Sequence, residues 1–158
     1  MASGLGRCFG LKLPTNVRAP ESTTNIADFW RTWNITLSDF LRDYVYRPLG
    51  KSPHSLPRGL SFIAAMVLGG LWYGTSPMLI AWALLHAGFI LFYRIWRGAR
   101  RHFDGLSLFA DFRFVRLLSI ALTFMVVTLS WVLFRSPDAD AAINMFAALS
   151  CWNGAFLP

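Results

Sequence analysis

Long stretches without a charged residue constrain this chain more than any other feature. No Asp, Glu, Lys or Arg occurs within residues 59–73, 78–93 or 117–134. About 20 apolar residues are needed to cross a bilayer upright, so the third run is close to that length and the first two are shorter. We expect a transmembrane helix over 117–134, and a helical hairpin over 59–93 whose corner, GTSP, is buried or re-entrant.

The composition agrees with a chain that lies in lipid. Apolar residues make up 55% of the 158 residues and charged residues only 15%, outside the usual range of soluble domains. The formal charge is +7, but the arginines flank the apolar runs and form no recognisable nucleic-acid-binding motif. We therefore expect membrane lipid, and no nucleic acid, as a partner. Cys8 and Cys151 lack metal-like spacing and are expected to be unpaired, with no metal site.

Basic residues predict how the chain is oriented. Six arginines lie within residues 94–116, and the positive-inside tendency makes this stretch a basic cytoplasmic loop. The start of the chain lacks the apolar core of a secretory signal, so insertion must come from internal helices. A further apolar segment, 141–158, is expected to be partly inserted. The prediction is an all-α, multi-pass membrane protein with about three to four membrane segments.

Residues 25–50 predict an amphipathic helix at the membrane interface. Asn25 is a suitable N-cap with Asp28 three positions later, and Pro48 marks the expected end. Asn34 lies on the apolar stripe of this helix, where a polar side chain must be hydrogen-bonded or face a cavity. The stripe follows three- and four-residue steps through Trp30, Trp33, Leu37, Phe40, Leu41 and Tyr44.

Three stretches in order, FWRTWNITLSDFLRDYVYRPLG, GLWYG and WALLHAGF, resemble the membrane-bound O-acyltransferase (MBOAT) family. The similarity is greatest to the bacterial branch that contains alginate O-acetyltransferase. This resemblance implies a partial MBOAT-like helical bundle in the bacterial inner membrane. It also implies transfer of an acyl group, most simply acetyl, to a hydroxyl of an extracytoplasmic polysaccharide. The donor would be an acyl thioester or a similarly activated form, with no bound cofactor.

Family members are much longer than this chain, which resembles their C-terminal portion. The resemblance therefore suggests a truncated gene, a fragment or one piece of a split protein. A separate N-terminal half, or other proteins of an acetylation complex, would then be partners. The alternative function is a non-catalytic membrane module or subunit that pairs with such a half.

Two positions depart from the family pattern. Asn34 stands where the bacterial branch has the histidine of RWH, the first polar residue of the site. Tyr73 stands where the branch has the presumed catalytic histidine of WHG, thought to be the general base. The reference pKa of histidine is about 6.5 and that of tyrosine about 10, so tyrosine is a poor base at neutral pH. Tyr73 could instead donate a hydrogen bond to a carbonyl, or anchor the helix at the interface.

His86 is a weaker candidate. If the hairpin turns near Thr75, Tyr73 lies opposite Met78, and His86 is eight residues further along, roughly 12 Å in depth. Replacement of the missing base by His86 is therefore not expected. An intramembrane ionisable residue still merits a functional hypothesis, and an interhelical hydrogen bond is the alternative.

Overall fold

The computed structural model describes residues 2–51, 57–100 and 113–150, and every regular element within those ranges is helical. A short 3₁₀ turn occupies Pro20–Ser22 and a π-helical segment occupies Leu41–Tyr46. The α-helices in chain order are α1 (Ala2–Cys8), α2 (Ile26–Thr32), α3 (Ile35–Phe40), α4 (Arg47–Lys51), α5 (Arg58–Tyr73), α6 (Pro77–Arg100), α7 (Arg113–Arg135) and α8 (Ala139–Leu149).

Two of these helices are long and apolar enough to cross a membrane, over residues 77–99 of α6 and 113–135 of α7. The 16 residues of α5 extend only about 24 Å, less than the hydrocarbon core of about 30 Å. The 11 residues of α8 are shorter still. The described part is an all-α membrane fold, as predicted, in which spanning helices are combined with shorter apolar ones.

The α5–α6 hairpin depends on two glycines. At Gly70 an added Cβ would lie 2.8 Å from the Ala83 Cβ and 2.9 Å from the Leu79 carbonyl oxygen, so the two backbones approach closely only because no side chain intervenes. Gly74 ends α5 with φ 156°, a value that side-chain-bearing residues rarely adopt. The chain therefore reverses directly after Tyr73.

The boundaries of the predicted basic loop were wrong. The loop was expected over 94–116, but α6 continues to Arg100 and α7 begins at Arg113. Arginine favours helix, and helical hydrogen bonding does not end where the apolar run ends. Residues 101–112 lie outside the described ranges. The segment expected over 141–158 begins as α8 at 139, because Asp138 caps the backbone N–H of Ala141 at 2.8 Å. Residues 151–158, including Cys151, also lie outside the described ranges.

The single helix predicted for 25–50 is broken. Asn25 does cap α2, accepting a 2.9 Å hydrogen bond from the backbone N–H of Asp28. However, α2 ends at Thr32 and Asn34 adopts a left-handed backbone, with φ 42° and ψ 56°. Asparagine tolerates this conformation better than most residues. Pro48 does not end the helix but lies within α4. The π-helical segment ends two residues before this proline, which cannot donate a backbone hydrogen bond.

The break also divides the predicted apolar stripe. Leu37 and Leu41 are buried and pack with Ala65 of α5. Phe40 and Tyr44 are instead 53% and 72% exposed, and their rings stack on each other at 5.0 Å. The change of direction at residue 34 and the π segment shift the helical phase, so a constant 3.6-residue period does not describe this region.

A small core joins α2 to the spanning helices. Ile26 and Phe29 of α2 form a buried cluster with Ile90 of α6 and Val127 of α7. This packing fixes the end of α2, and with it the position of the Asn34 junction against the α5–α6 hairpin.

Candidate active site

Asn34 and Tyr73 meet at the junction of α2, α3 and α5. The Asn34 Nδ2 group donates a hydrogen bond of 2.6 Å to the Tyr73 hydroxyl oxygen. Asn34 is placed by the left-handed turn before α3, and Tyr73 is the last residue of α5. The structure thus brings together the two positions that depart from the family pattern, although they are 39 residues apart. Both are partly exposed, Tyr73 to 37%, so the pair is accessible to a small molecule.

Asn16 fixes the orientation of the Asn34 amide. Its Nδ2 group donates to the Asn34 Oδ1 atom at 3.2 Å. The Asn16 Oδ1 atom accepts from both the backbone N–H and the hydroxyl of Thr36, at 3.0 and 2.8 Å. Because Asn34 accepts from Asn16, it presents its donor to Tyr73. Sequence reasoning missed Asn16, which lies in an irregular stretch where no periodicity marks it.

The hydrogen of the Tyr73 hydroxyl remains available. The oxygen accepts from Asn34, and within the described residues the hydroxyl donates to no protein atom. A phenol can donate and accept at the same time. The arrangement therefore suits donation to an oxygen on which negative charge develops.

Two aromatic rings contact the Tyr73 side chain. Its ring makes edge contacts with Trp82 at 6.0 Å and with Phe134 of α7 at 5.1 Å between centroids. Trp82 is 3% exposed, and its indole N–H has no hydrogen-bond partner in the part of the chain that the structure describes. An unpaired buried donor costs about 1–3 kcal/mol, and an oxygen bound beside Tyr73 would relieve that cost if it reached the indole.

His86 lies in a closed chain of hydrogen bonds. The indole N–H of Trp30 donates to the His86 Nδ1 atom at 3.2 Å. Since an indole nitrogen only donates, Nδ1 must be the acceptor, and a neutral imidazole then carries its proton on Nε2. That group donates to the Ser130 hydroxyl at 2.8 Å, which donates to the Val127 carbonyl at 2.6 Å.

Every polar atom of the fully buried His86 ring is therefore occupied. This is the geometry of an interhelical hydrogen bond that joins α2, α6 and α7. The predicted offset of roughly 12 Å describes the depth between Tyr73 and His86, but it does not show that one residue connects them. The Trp82 ring contacts both side chains, with centroid distances of 6.0 Å to Tyr73 and 4.8 Å to His86.

The described part is thus a helical membrane protein with a hydrogen-bonded polar pair at the end of a hairpin helix. Residues 1–137 match the profile of the MBOAT, membrane-bound O-acyltransferase family. The chain belongs to this family, as the resemblance of its motifs predicted.

Curated relatives share most of this chain's length. A peptidoglycan O-acetyltransferase of Helicobacter pylori is 35% identical over 158 residues, and a probable alginate O-acetylase of Azotobacter vinelandii is 35% identical over 155 residues. These alignments cover 99% and 94% of this chain, but 29% and 28% of the relatives. A teichoic acid D-alanyltransferase of Bacillus subtilis is 28% identical over 141 residues, covering 84% of this chain and 35% of that protein. The chain thus spans less than a third of the first two relatives.

Proposed function

We propose that the chain forms part of an acyl-transfer site in the bacterial cytoplasmic membrane. The reaction would pass an acyl group, most simply acetyl, from a thioester donor to a hydroxyl of an extracytoplasmic polysaccharide. The names of the relatives support this class of reaction. The observation that carries the proposal is the 2.6 Å hydrogen bond between Asn34 and Tyr73, because it unites the two family motifs in one accessible place.

Tyr73 would act on the acyl carbonyl. The acceptor oxygen attacks the carbonyl carbon, so a C–O bond forms, the C–S bond breaks, and the acceptor's proton passes to the departing sulfur. Negative charge develops on the carbonyl oxygen during the attack. The Tyr73 hydroxyl can donate to that oxygen while Asn34 holds it in place. One such donor is typically worth 10²–10³-fold in rate.

The proposed partners follow from the same reaction. They are membrane lipid, a polysaccharide acceptor, and either a separate N-terminal half or other proteins of an acetylation complex. Since the chain spans 29% of the Helicobacter pylori relative, we expect it to need further helices to enclose the donor. We expect no acyl transfer by the 158-residue chain alone.

A non-catalytic membrane module is the second candidate. It is favoured by one observation, the tyrosine at the position of the presumed base. The Asn34–Tyr73 hydrogen bond would then only stabilise the fold, and the Tyr73 hydroxyl would take no part in a reaction.

The test uses a hybrid protein in which this chain replaces the matching part of the Helicobacter pylori relative. Tyr73→Phe removes the hydroxyl and should lower acetyl transfer from a radiolabelled thioester to polysaccharide by about 10²-fold. Tyr44→Phe is the matched control, since Tyr44 is 72% exposed and distant in sequence from the hairpin. Equal activity of the two variants would favour the non-catalytic module.

A further inference from the structure

A cavity lies along α5 and α6, on the face of α5 that also carries Tyr73 but nearer the start of that helix. It has a volume of about 310 Å³ and is bordered by α5, α6 and the segments from α2 to the π turn. Neither Asn34 nor Tyr73 lines it. The apolar wall includes Phe62, Met66 and Ile90, and the basic side includes Arg94 and Arg97.

The carboxylates near this cavity already have basic partners. Asp28 pairs with Arg31 at 2.8 Å, and Arg42 pairs with both Asp39 and Asp43, at 2.7 and 2.9 Å. The hydrogen bond from Arg42 lowers the pKa of the Asp43 carboxyl below its ordinary value, so this carboxylate stays ionised and paired at neutral pH. These carboxylates are paired with Arg31 and Arg42, so they do not neutralise the charge of the other arginines beside the cavity.

Arg94 and Arg97 are those uncompensated arginines. Across the described ranges, no carboxylate lies within ion-pair distance of either guanidinium. The Arg94 guanidinium stacks over the Phe62 ring at 4.4 Å, which fixes its plane and leaves its N–H groups free at the edge. Arg97 follows one helical turn later on the same face. One held guanidinium and a second one a helical turn away, both with free donors, suit a phosphate group.

The cavity is basic at one end and apolar along α5. Arg94 and Arg97 follow the apolar run of α6 in the sequence, and basic residues that flank an apolar span are typical of the headgroup region. The apolar wall runs along α5 from Phe62 to Gly69, about 10 Å along the helix axis. The volume is near the lower limit of typical ligand pockets, enough for the start of an acyl chain but small for a whole nucleotide.

We propose that this cavity is a binding site for an anionic phospholipid. The phosphate of the headgroup would contact Arg94 and Arg97, and the first part of one acyl chain would lie against Phe62 and Met66. The location at the end of a spanning helix favours a lipid over a soluble phosphate compound such as coenzyme A.

The test measures lipids retained by the purified 158-residue chain in native mass spectrometry. Phosphatidylglycerol is compared with phosphatidylcholine of the same acyl chains, and coenzyme A is added as a competitor. Arg94→Gln with Arg97→Gln should reduce phosphatidylglycerol retention, by about fivefold for each arginine. Arg113→Gln with Arg116→Gln is the matched control, because these two arginines have the same spacing on α7 but do not line the cavity. The control pair should retain the preference for phosphatidylglycerol.

Three outcomes would overturn the proposal. Equal losses in both pairs would indicate attraction to the basic surface as a whole. Equal retention of the two lipids would show that the site does not distinguish an anionic headgroup from a zwitterionic one. Displacement of the lipid by coenzyme A would assign the site to a soluble phosphate compound. A photoactivatable phosphatidylglycerol on the unaltered chain gives an independent check, since it should label peptides containing residues 62–69 or 93–97 even if the variants fold poorly.

Discussion

The indole N–H of Trp30 donates to the Nδ1 atom of His86 at 3.2 Å, so a residue of α2 is hydrogen-bonded to the buried face of α6. This bond continues through Ser130 to α7. It secures α2, and the junction after α2 carries Asn34. The polar chain around His86 and the polar pair at Tyr73 are therefore two parts of one arrangement, the first holding the second in place.

His86→Ala should destabilise the fold more than it affects the chemistry. The change leaves the Trp30 donor unpaired and opens a cavity, which together cost about 2–5 kcal/mol. Thermal unfolding in detergent, followed by circular dichroism, measures the loss. Ser130→Ala removes one bond of the same chain and should cost less. In the hybrid protein, acetyl transfer per folded molecule should fall less for His86→Ala than for Tyr73→Phe. The reverse order would assign His86 a direct role.

Tyr73→His in the hybrid protein should raise acyl transfer. Histidine supplies the general base that tyrosine lacks, and general-base catalysis is typically worth 10²–10⁴-fold. Initial rates with a radiolabelled thioester donor measure the gain. Tyr44→His is the control for a histidine added elsewhere. If Tyr73→His gave no gain while His86→Ala abolished transfer, the assignment of position 73 to the base would be wrong.

Two substitutions distinguish the contribution of the Asn34 backbone conformation to stability from that of its side chain. Asn34→Gly keeps the left-handed conformation but loses the hydrogen bonds to Asn16 and Tyr73. Asn34→Ala loses the same bonds and adds strain at φ 42°, so it should be less stable than the glycine variant by about 1 kcal/mol. Chemical denaturation in detergent compares them. Equal stabilities would contradict a left-handed residue at this position.

Gly70→Ala should weaken the α5–α6 hairpin. The new methyl group would meet the Ala83 side chain and the Leu79 carbonyl at less than 3 Å, and overpacking of this kind costs about 1–3 kcal/mol. Gly88→Ala is the matched control on α6, because nothing lies within 4 Å of a Cβ at that position. The control should keep or slightly raise the melting temperature, since alanine favours helix over glycine.

The orientation of α7 can be tested by labelling. Single cysteines at Ala99 and Ala139, in a background without Cys8 and Cys151, should react from opposite sides of the membrane with an impermeant maleimide. Residue 99 lies in the arginine-rich end of α6, which the positive-inside tendency places in the cytoplasm. Labelling of both from one side would exclude a crossing by α7.

The sequence predicted the helices better than it predicted the site. Uncharged runs located α5, α6 and α7 because apolar burial in lipid requires long stretches without charge. Asn25 was recognised as a cap because that interaction is local, reaching only to Asp28. The break at Asn34 was missed because a left-handed residue interrupts the period without changing the composition. The Asn34–Tyr73 bond was suggested only through the family motifs, since it joins distant segments, and no local pattern indicates Asn16.

Because Tyr73 is the last residue of α5, the length of that helix determines where the Tyr73 hydroxyl lies. Each residue adds about 100° of rotation and 1.5 Å of rise. A one-residue deletion between Arg58 and Tyr73 would therefore turn the hydroxyl away from Asn34, even if every remaining side chain were kept. Single-residue insertions should be equally harmful, whereas a change of seven residues, close to two full turns, would restore the angle but not the depth. The length of this helix therefore determines the geometry of the Asn34–Tyr73 pair as much as its composition does.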